Sequence, residues 1–176
     1  FAISTIPVID GRQTMRRCQG EINFARLMKL ISDDRERRFN GMEGGMMAMS
    51  PMENSTELST WPFPHVRTGF MALKANEAPL HEHESTIEST EELIAYRAIP
   101  YAQEIYDTPV LMTLAHGDNI TSADLEVDAF NAIPNPDKKL VAVRGVDHMS
   151  LYTNGDHLAK VGRVQAAWLK QKLAEL

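Results

Sequence analysis

Cysteine is almost missing from this chain. Cys18 stands alone, which excludes an internal disulfide and a CxxC metal or redox centre and suits a reducing, cytoplasmic location. Long apolar runs are missing as well. Nothing approaches the roughly 20 consecutive apolar residues of a membrane span, and the opening FAISTIPVID lacks the basic segment and small-residue cleavage site of a signal peptide. No membrane partner is expected. Positive charge is not in excess: 18 basic against 24 acidic residues give a formal charge of -6, so nothing draws the chain toward nucleic acid or anionic lipid. The basic cluster Arg35, Arg37 and Arg38 is interleaved with Asp33, Asp34 and Glu36 and reads as a solvated, self-paired helix face. A phosphate-cradling loop is absent too, which leaves a flavodoxin-like ligand-binding domain as the weakest reading. No cofactor and no metal are implied.

What is present is an ordinary globular composition, 43% apolar and 24% charged with a mean hydropathy of -0.29, over 176 residues, the length of one domain able to bury a core without staples. FAISTIPV at residues 1–8 is β-branched and apolar and ends at Ile9, Asp10 and Gly11, as a buried parallel strand entering a loop does. Because Phe1 is not an initiator methionine and no turn precedes that strand, the chain is expected to start mid-fold. From Arg12 to Ile31 apolar residues recur at helical spacing, as in one amphipathic helix or in two divided at Gly20. Residues 40–84 lose periodicity and fill with glycine, proline, methionine and polar residues, which reads as a lid-like insertion or a floppy one. Ser89 with Glu92 forms a capping box for a short helix to about Ala98, and a second short helix is expected around Tyr101 to Ile105.

The last third is clearer. PVLMTLA (109–115) reads as a buried strand, Ser122 to Ala132 as a helix and KLVAV (139–143) as another buried strand. Asp156 is expected to cap a final helix whose apolar face is Leu158, Val161, Val164, Trp168, Leu169 and Leu173. Strand, helix, strand at this length requires parallel pairing and a right-handed crossover. Reactive groups in such sheets gather past the carboxyl ends of the strands. Three loops qualify: Asp10-Gly11, His116-Gly117-Asp118 and Gly145-Val146-Asp147-His148. An acid after one strand and a histidine after the next is how a fold presents a carboxylate to an imidazole, the carboxylate fixing the tautomer while the other ring nitrogen takes a proton from a nucleophile. Asp118 and His148 are the candidate catalytic residues.

At these residues the chain resembles a known family. TPVLMTLAHGDNITSADLEVDAF, then KKLVAVRGVDHMSLY and a closing helix, is similar to the C-terminal part of an α/β-hydrolase, of the dienelactone-hydrolase-like or esterase-like kind. The resemblance implies an α/β fold holding family strands six, seven and eight in parallel. It implies one partial domain in which residues 1–11 and 109–176 form the sheet core and 12–108 a helical cap insertion. It matches Asp118 to the triad acid and His148 to the triad base, in the family's order of nucleophile, acid, histidine. The nucleophile elbow, G-x-S-x-G or G-x-C-x-G, is nowhere in the sequence, and the Gly41 to Ser50 stretch lacks its flanking glycines. The implied function is hydrolysis of a small-molecule ester, lactone or related acyl bond, with a serine or cysteine supplied by a missing N-terminal half or a partner chain. The alternative is a non-catalytic binding or dimerisation module derived from a hydrolase half, in which a homo-oligomer is expected.

Other residues carry blander expectations. Asp10 is a second candidate acid, since some hydrolases place the acid one strand earlier, and otherwise caps the next helix. His116 reads as a polar loop residue close to the site. His81 and His83 could bind a metal only if further ligands converged on them. Met42, Met46, Met47, Met49 and Met52 would either line an apolar groove or fill gaps, and Trp61 and Phe63 would anchor the lid on its core or face an acyl pocket.

Overall fold

PVLMTLA becomes the centre of a sheet because every residue of its strand is apolar or threonine and can be buried on both faces. In the computed structural model, which describes residues 1–175, the elements in chain order are β1 (Ala2–Thr5), α1 (Gly11–Phe39), β2 (Met46–Ala48), α2 (Pro64–Asn76), β3 (Glu84–Thr86), α3 (Ile87–Ala95), α4 (Ile99–Ala102), β4 (Val110–Ala115), α5 (Ala123–Ala132), β5 (Lys138–Val143), α6 (Ser150–Thr153) and α7 (Gly155–Ala174). They form two compact units: Phe1–Asp10 with the chain from Arg97 onward, and Gly11–Tyr96.

The first unit holds a parallel sheet in the order β1-β4-β5. Ala2 pairs with Val110 and Val110 with Lys138, and the register runs on to Ala115 opposite Val143. All six residues of β4 are buried. Because side chains alternate across a strand, Met112 and Leu140 pack with Leu125 and Ala129 of α5, while Ala115 and Val143 pack with Val161 of α7. The two helices thus cover opposite faces. Thr113 sits on the α7 face, and its hydroxyl is shared with Ser4 O, Thr5 and Gln165. The outer strands correct the sequence reading. β1 is exposed along most of its length and β5 buries only Val143 fully, since each pairs on one side only among the described residues.

Helix ends also differ from expectation. Asn154 caps α7, its Oδ1 accepting from Asp156 N at 3.0 Å and His157 N at 3.2 Å, so Asp156 lies inside the first turn. The buried stripe of α7 is Val161, Trp168 and Lys172, whereas Leu158 and Leu173 are about half exposed. Residues 97–108, read from sequence as part of the insertion, group instead with the sheet. The reason is visible at the junction: Ile9 O accepts from Ala98 N at 2.8 Å, Arg97 pairs with Asp10, and Ala98 and Ile99 pack on the cluster of Ile9, Met112 and Leu125.

The second unit, inserted between β1 and α4, is built on α1 and α3. Met15, Phe24, Leu27, Ile31, Met47, Ile87 and Ile94 form its core. α1 is broken at Gly20 (φ 67, ψ 168), a conformation that glycine adopts without a Cβ penalty. Gly11 is required for a different reason: a Cβ there would lie 1.5 Å from Leu93 O. α3 is capped by Thr86, whose hydroxyl accepts from Ser89 N, rather than by Ser89, because the capping residue must be extended (φ -66, ψ 148) just before the first helical turn. The supposed lid stretch contains α2, opened by Pro64, and an antiparallel pair of β2 and β3. Arg38 pairs with Asp34 on its own helix and with Glu88 and Glu91 on α3, so the basic cluster joins two helices as well as pairing within one. No helix of the described residues is long and apolar enough to cross a membrane.

Candidate functional site

Two loops beyond the carboxyl ends of neighbouring parallel strands make the site. The first follows β4 and the second follows β5, and Gly117 N donates to Val146 O at 3.0 Å to tie them together. Asp118 then folds back on its own loop. Its Oδ1 accepts from Ile120 N and Thr121 N, both at 2.8 Å, which satisfies two amide groups that the turn would otherwise strand. The turn forces Ser122, the residue before α5, to a positive φ of 69, a conformation disfavoured for a residue with a Cβ. Asp118 Oδ2 faces the other loop, and His148 Nδ1 donates to it at 2.8 Å. The Asp118 side chain is fully buried and that of His148 11% exposed. The pair is therefore shielded from solvent screening, with one edge of the imidazole reachable.

Electrostatics follow from this packing. Burial pushes the Asp118 carboxyl up, but the hydrogen bond and charge of His148, with the amides of Thr121 and Ile120, outweigh it and hold the group below its ordinary value. Asp118 is thus the anionic partner. The neighbouring Asp147 plays a separate part, since its Oδ1 accepts from Ser150 N at 2.9 Å and opens α6. Tyr152 places its ring 5.5 Å from that of His148, and burial followed by the Asp118 charge pushes its phenol up.

The sequence-derived candidates separate clearly. Asp118 and His148 are brought together. Asp10, the second candidate acid, is paired with Arg97, Nε to Oδ2 at 3.1 Å. His116 follows β4 in the turn and is exposed, its amide donating to Val143 O. In the inserted unit, Ser50 Oγ lies 2.6 Å from His83 Nε2, and His83 Nδ1 lies 3.2 Å from His81 Nε2. No group of three or more metal-binding side chains occurs among the described residues. Met47 belongs to the core while Met42, Met46 and Met52 are exposed, and Trp61 packs against the unit's own core. Sequence reasoning missed Tyr152, Thr121 and Glu126. Thr121 Oγ1 lies 2.9 Å from Asp118 Oδ2 and 3.0 Å from Glu126 Oε1. Glu126 gives no signal in ADLEVDAF, where an acid in a first helical turn looks like a solvated one.

The arrangement of strands and helices in this chain is matched in solved structures. The α/β-hydrolase GrgF from Penicillium sp. sh18 superposes with a TM-score of 0.69 at 19% identity, over 98% of this chain and 55% of that one. The chain has a partial α/β-hydrolase fold. DcsB, solved with its substrate analogue, gives a TM-score of 0.72 at 18% identity over 98% of this chain and 56% of its own. A monoacylglycerol lipase from Paleococcus ferrophilus gives 0.61 at 16% identity over 95% and 57%. The chain therefore spans little more than half the length of these solved structures whose fold it shares. No family model and no curated protein matches it.

Proposed function

We propose that Asp118 and His148 are the acid and base of a nucleophile-histidine-acid triad in an enzyme that hydrolyses an ester, lactone or related acyl bond. The observation behind this reading is the 2.8 Å contact between His148 Nδ1 and the buried, four-times hydrogen-bonded Asp118 carboxylate. That contact leaves Nε2 to accept a proton from a serine or cysteine. The nucleophile and its oxyanion-binding amides come from outside this chain. Asp118 fixes the Nδ1–H tautomer and stabilises the imidazolium formed when the nucleophile attacks the acyl carbon. His148 then returns the proton to the leaving alcohol, and water repeats the cycle on the acyl-enzyme. In this reading Gly11–Tyr96 is the cap insertion of that enzyme, and a reducing compartment suits the lone Cys18 of this chain.

The test is hydrolysis of a series of p-nitrophenyl esters by the complete protein. His148→Ala is expected to abolish turnover, and Asp118→Asn to lower kcat on the order of 10^3–10^4-fold with substrate binding kept. Full activity in His148→Ala would sink the assignment, and no turnover by the complete unsubstituted protein would favour a binding module built on a hydrolase half.

A further inference from the structure

Glu126 is a buried acid that the triad reading leaves unused. It sits in the first turn of α5 and is 0% exposed. Its Oε1 meets Thr121 Oγ1 at 3.0 Å, and the same hydroxyl oxygen meets Asp118 Oδ2 at 2.9 Å. Glu126 Oε2 is buried without a hydrogen-bond partner. A threonine hydroxyl has one hydrogen to give, so it cannot donate to two carboxylates at once. Asp118 already receives the amides of Ile120 and Thr121 and the ring N–H of His148. Glu126 touches one polar atom, and as an anion it would be poorly solvated beside a second anion. The extra proton therefore belongs on Glu126.

We propose that Glu126 is held as the neutral acid and donates to Thr121, whose hydroxyl in turn donates to Asp118, making Glu126 a positioning residue for the Asp118–His148 pair. The hydrogen bonds then run in one direction, from Glu126 Oε1–H to Thr121 Oγ1 and from Thr121 O–H to Asp118 Oδ2, where they meet His148 Nδ1–H. Two buried carboxyls share one negative charge, and that charge is kept on the carboxylate facing the imidazole. Burial and then the Asp118 charge push the Glu126 carboxyl up to about 8, outweighing the helix dipole that favours an anion in a first turn. In mild alkali Glu126 ionises, competes for the one hydroxyl proton and loosens Asp118. The other titratable groups at the relay are His148 itself and Tyr152, stacked at a tilt on its ring. The inference rests on the reading above only for the catalytic meaning of the pair; the relay stands on the geometry of this chain.

The experiment is an NMR pH titration of the complete protein, following the Nδ1-bound proton of His148 and the side-chain carboxyl carbon of Glu126. At neutral pH the Glu126 carbon is expected at the shift of a neutral acid, and the His148 proton is expected far downfield, moving as pH rises through about 8. In Glu126→Gln, whose amide still donates but cannot ionise, that movement is expected to vanish with the downfield proton retained. Thr121→Ser is expected to keep the response and Thr121→Val to lose it. A Glu126 carbon already at the carboxylate shift at neutral pH, or a response unchanged in Glu126→Gln, overturns the proposal. These readouts involve no turnover, so the relay and the triad assignment can each fail while the other stands.

Discussion

The sheet-bearing unit and the inserted unit hold themselves together by different means. In the first, contacts follow the chain's own periodicities: a strand with six buried residues, two helices on its opposite faces, and loops closed by short-range amide bonds. In the second, long-range side-chain bonds pin irregular backbone. Gln19 donates to Ser59 O at 2.7 Å and to Thr60 O at 3.1 Å, Asp34 accepts from Gly45 N at 2.6 Å, and Thr60 meets Thr90 at 3.0 Å. Buried polar groups must be paired, and in the inserted unit pairing replaces ladders as the device that orders loops. The Asp118–His148 contact lies in the regular unit, where short loops on packed strands hold side chains more precisely than irregular backbone does.

Three measurements would break or sharpen this contrast. The largest effect is expected from core truncation. Leu111→Ala in β4 and Leu27→Ala in α1, both fully buried, should each cost about 2–5 kcal/mol. The chain has two tryptophans, Trp61 in the inserted unit and Trp168 in the sheet-bearing unit, so single-tryptophan variants read each unit in urea. Leu111→Ala is expected to move the Trp168 transition and Leu27→Ala the Trp61 transition. One shared transition that answers equally to both would erase the division.

A smaller contrast lies in pH. Glu126 has a folded value of about 8 against an ordinary 4.5, so the folded chain keeps a proton that the unfolded chain releases. Stability of the sheet-bearing unit should fall as pH rises between those values and then level off. Glu126→Gln should flatten that slope in Trp168-monitored melts. Asp34 works in the opposite sense. The Gly45 amide first, then Arg38, hold its carboxyl below the usual value against burial, so its contribution is present at neutral pH and lost as pH falls through the carboxylate range. Trp61 should report that acid loss, and Asp34→Asn should diminish it.

The smallest effect compares the two caps. Thr86→Ala and Asn154→Ala each remove a side-chain acceptor from a helix start and should cost about 1 kcal/mol apiece. Equal shifts would show that capping is local in both units. A much larger loss at Thr86 would show that the inserted unit depends on its isolated polar contacts.

Legibility in the sequence follows the same divide. PVLMTLA, KLVAV and the helices after them are readable because periodic burial leaves a pattern in neighbouring residues, and from those strands the positions of Asp118 and His148 follow by topology alone. α2 is not readable: only Val66 of its thirteen residues is fully buried, so no apolar stripe marks it. The caps lie two or three residues from their expected positions because Ser89 and Asp156 are acceptable cap types, and only backbone conformation distinguishes them from Thr86 and Asn154.

The sequence by itself determined the parallel βαβ core and the two loops that bring Asp118 to His148, because each depends on local spacing and on a fixed rule for where strands end. Tertiary structure alone decided that Asp10 belongs to Arg97, that residues 97–108 join the sheet, and that Glu126 lies buried against Thr121. Those outcomes depend on which distant groups meet and how much water they lose, and a one-dimensional pattern encodes neither.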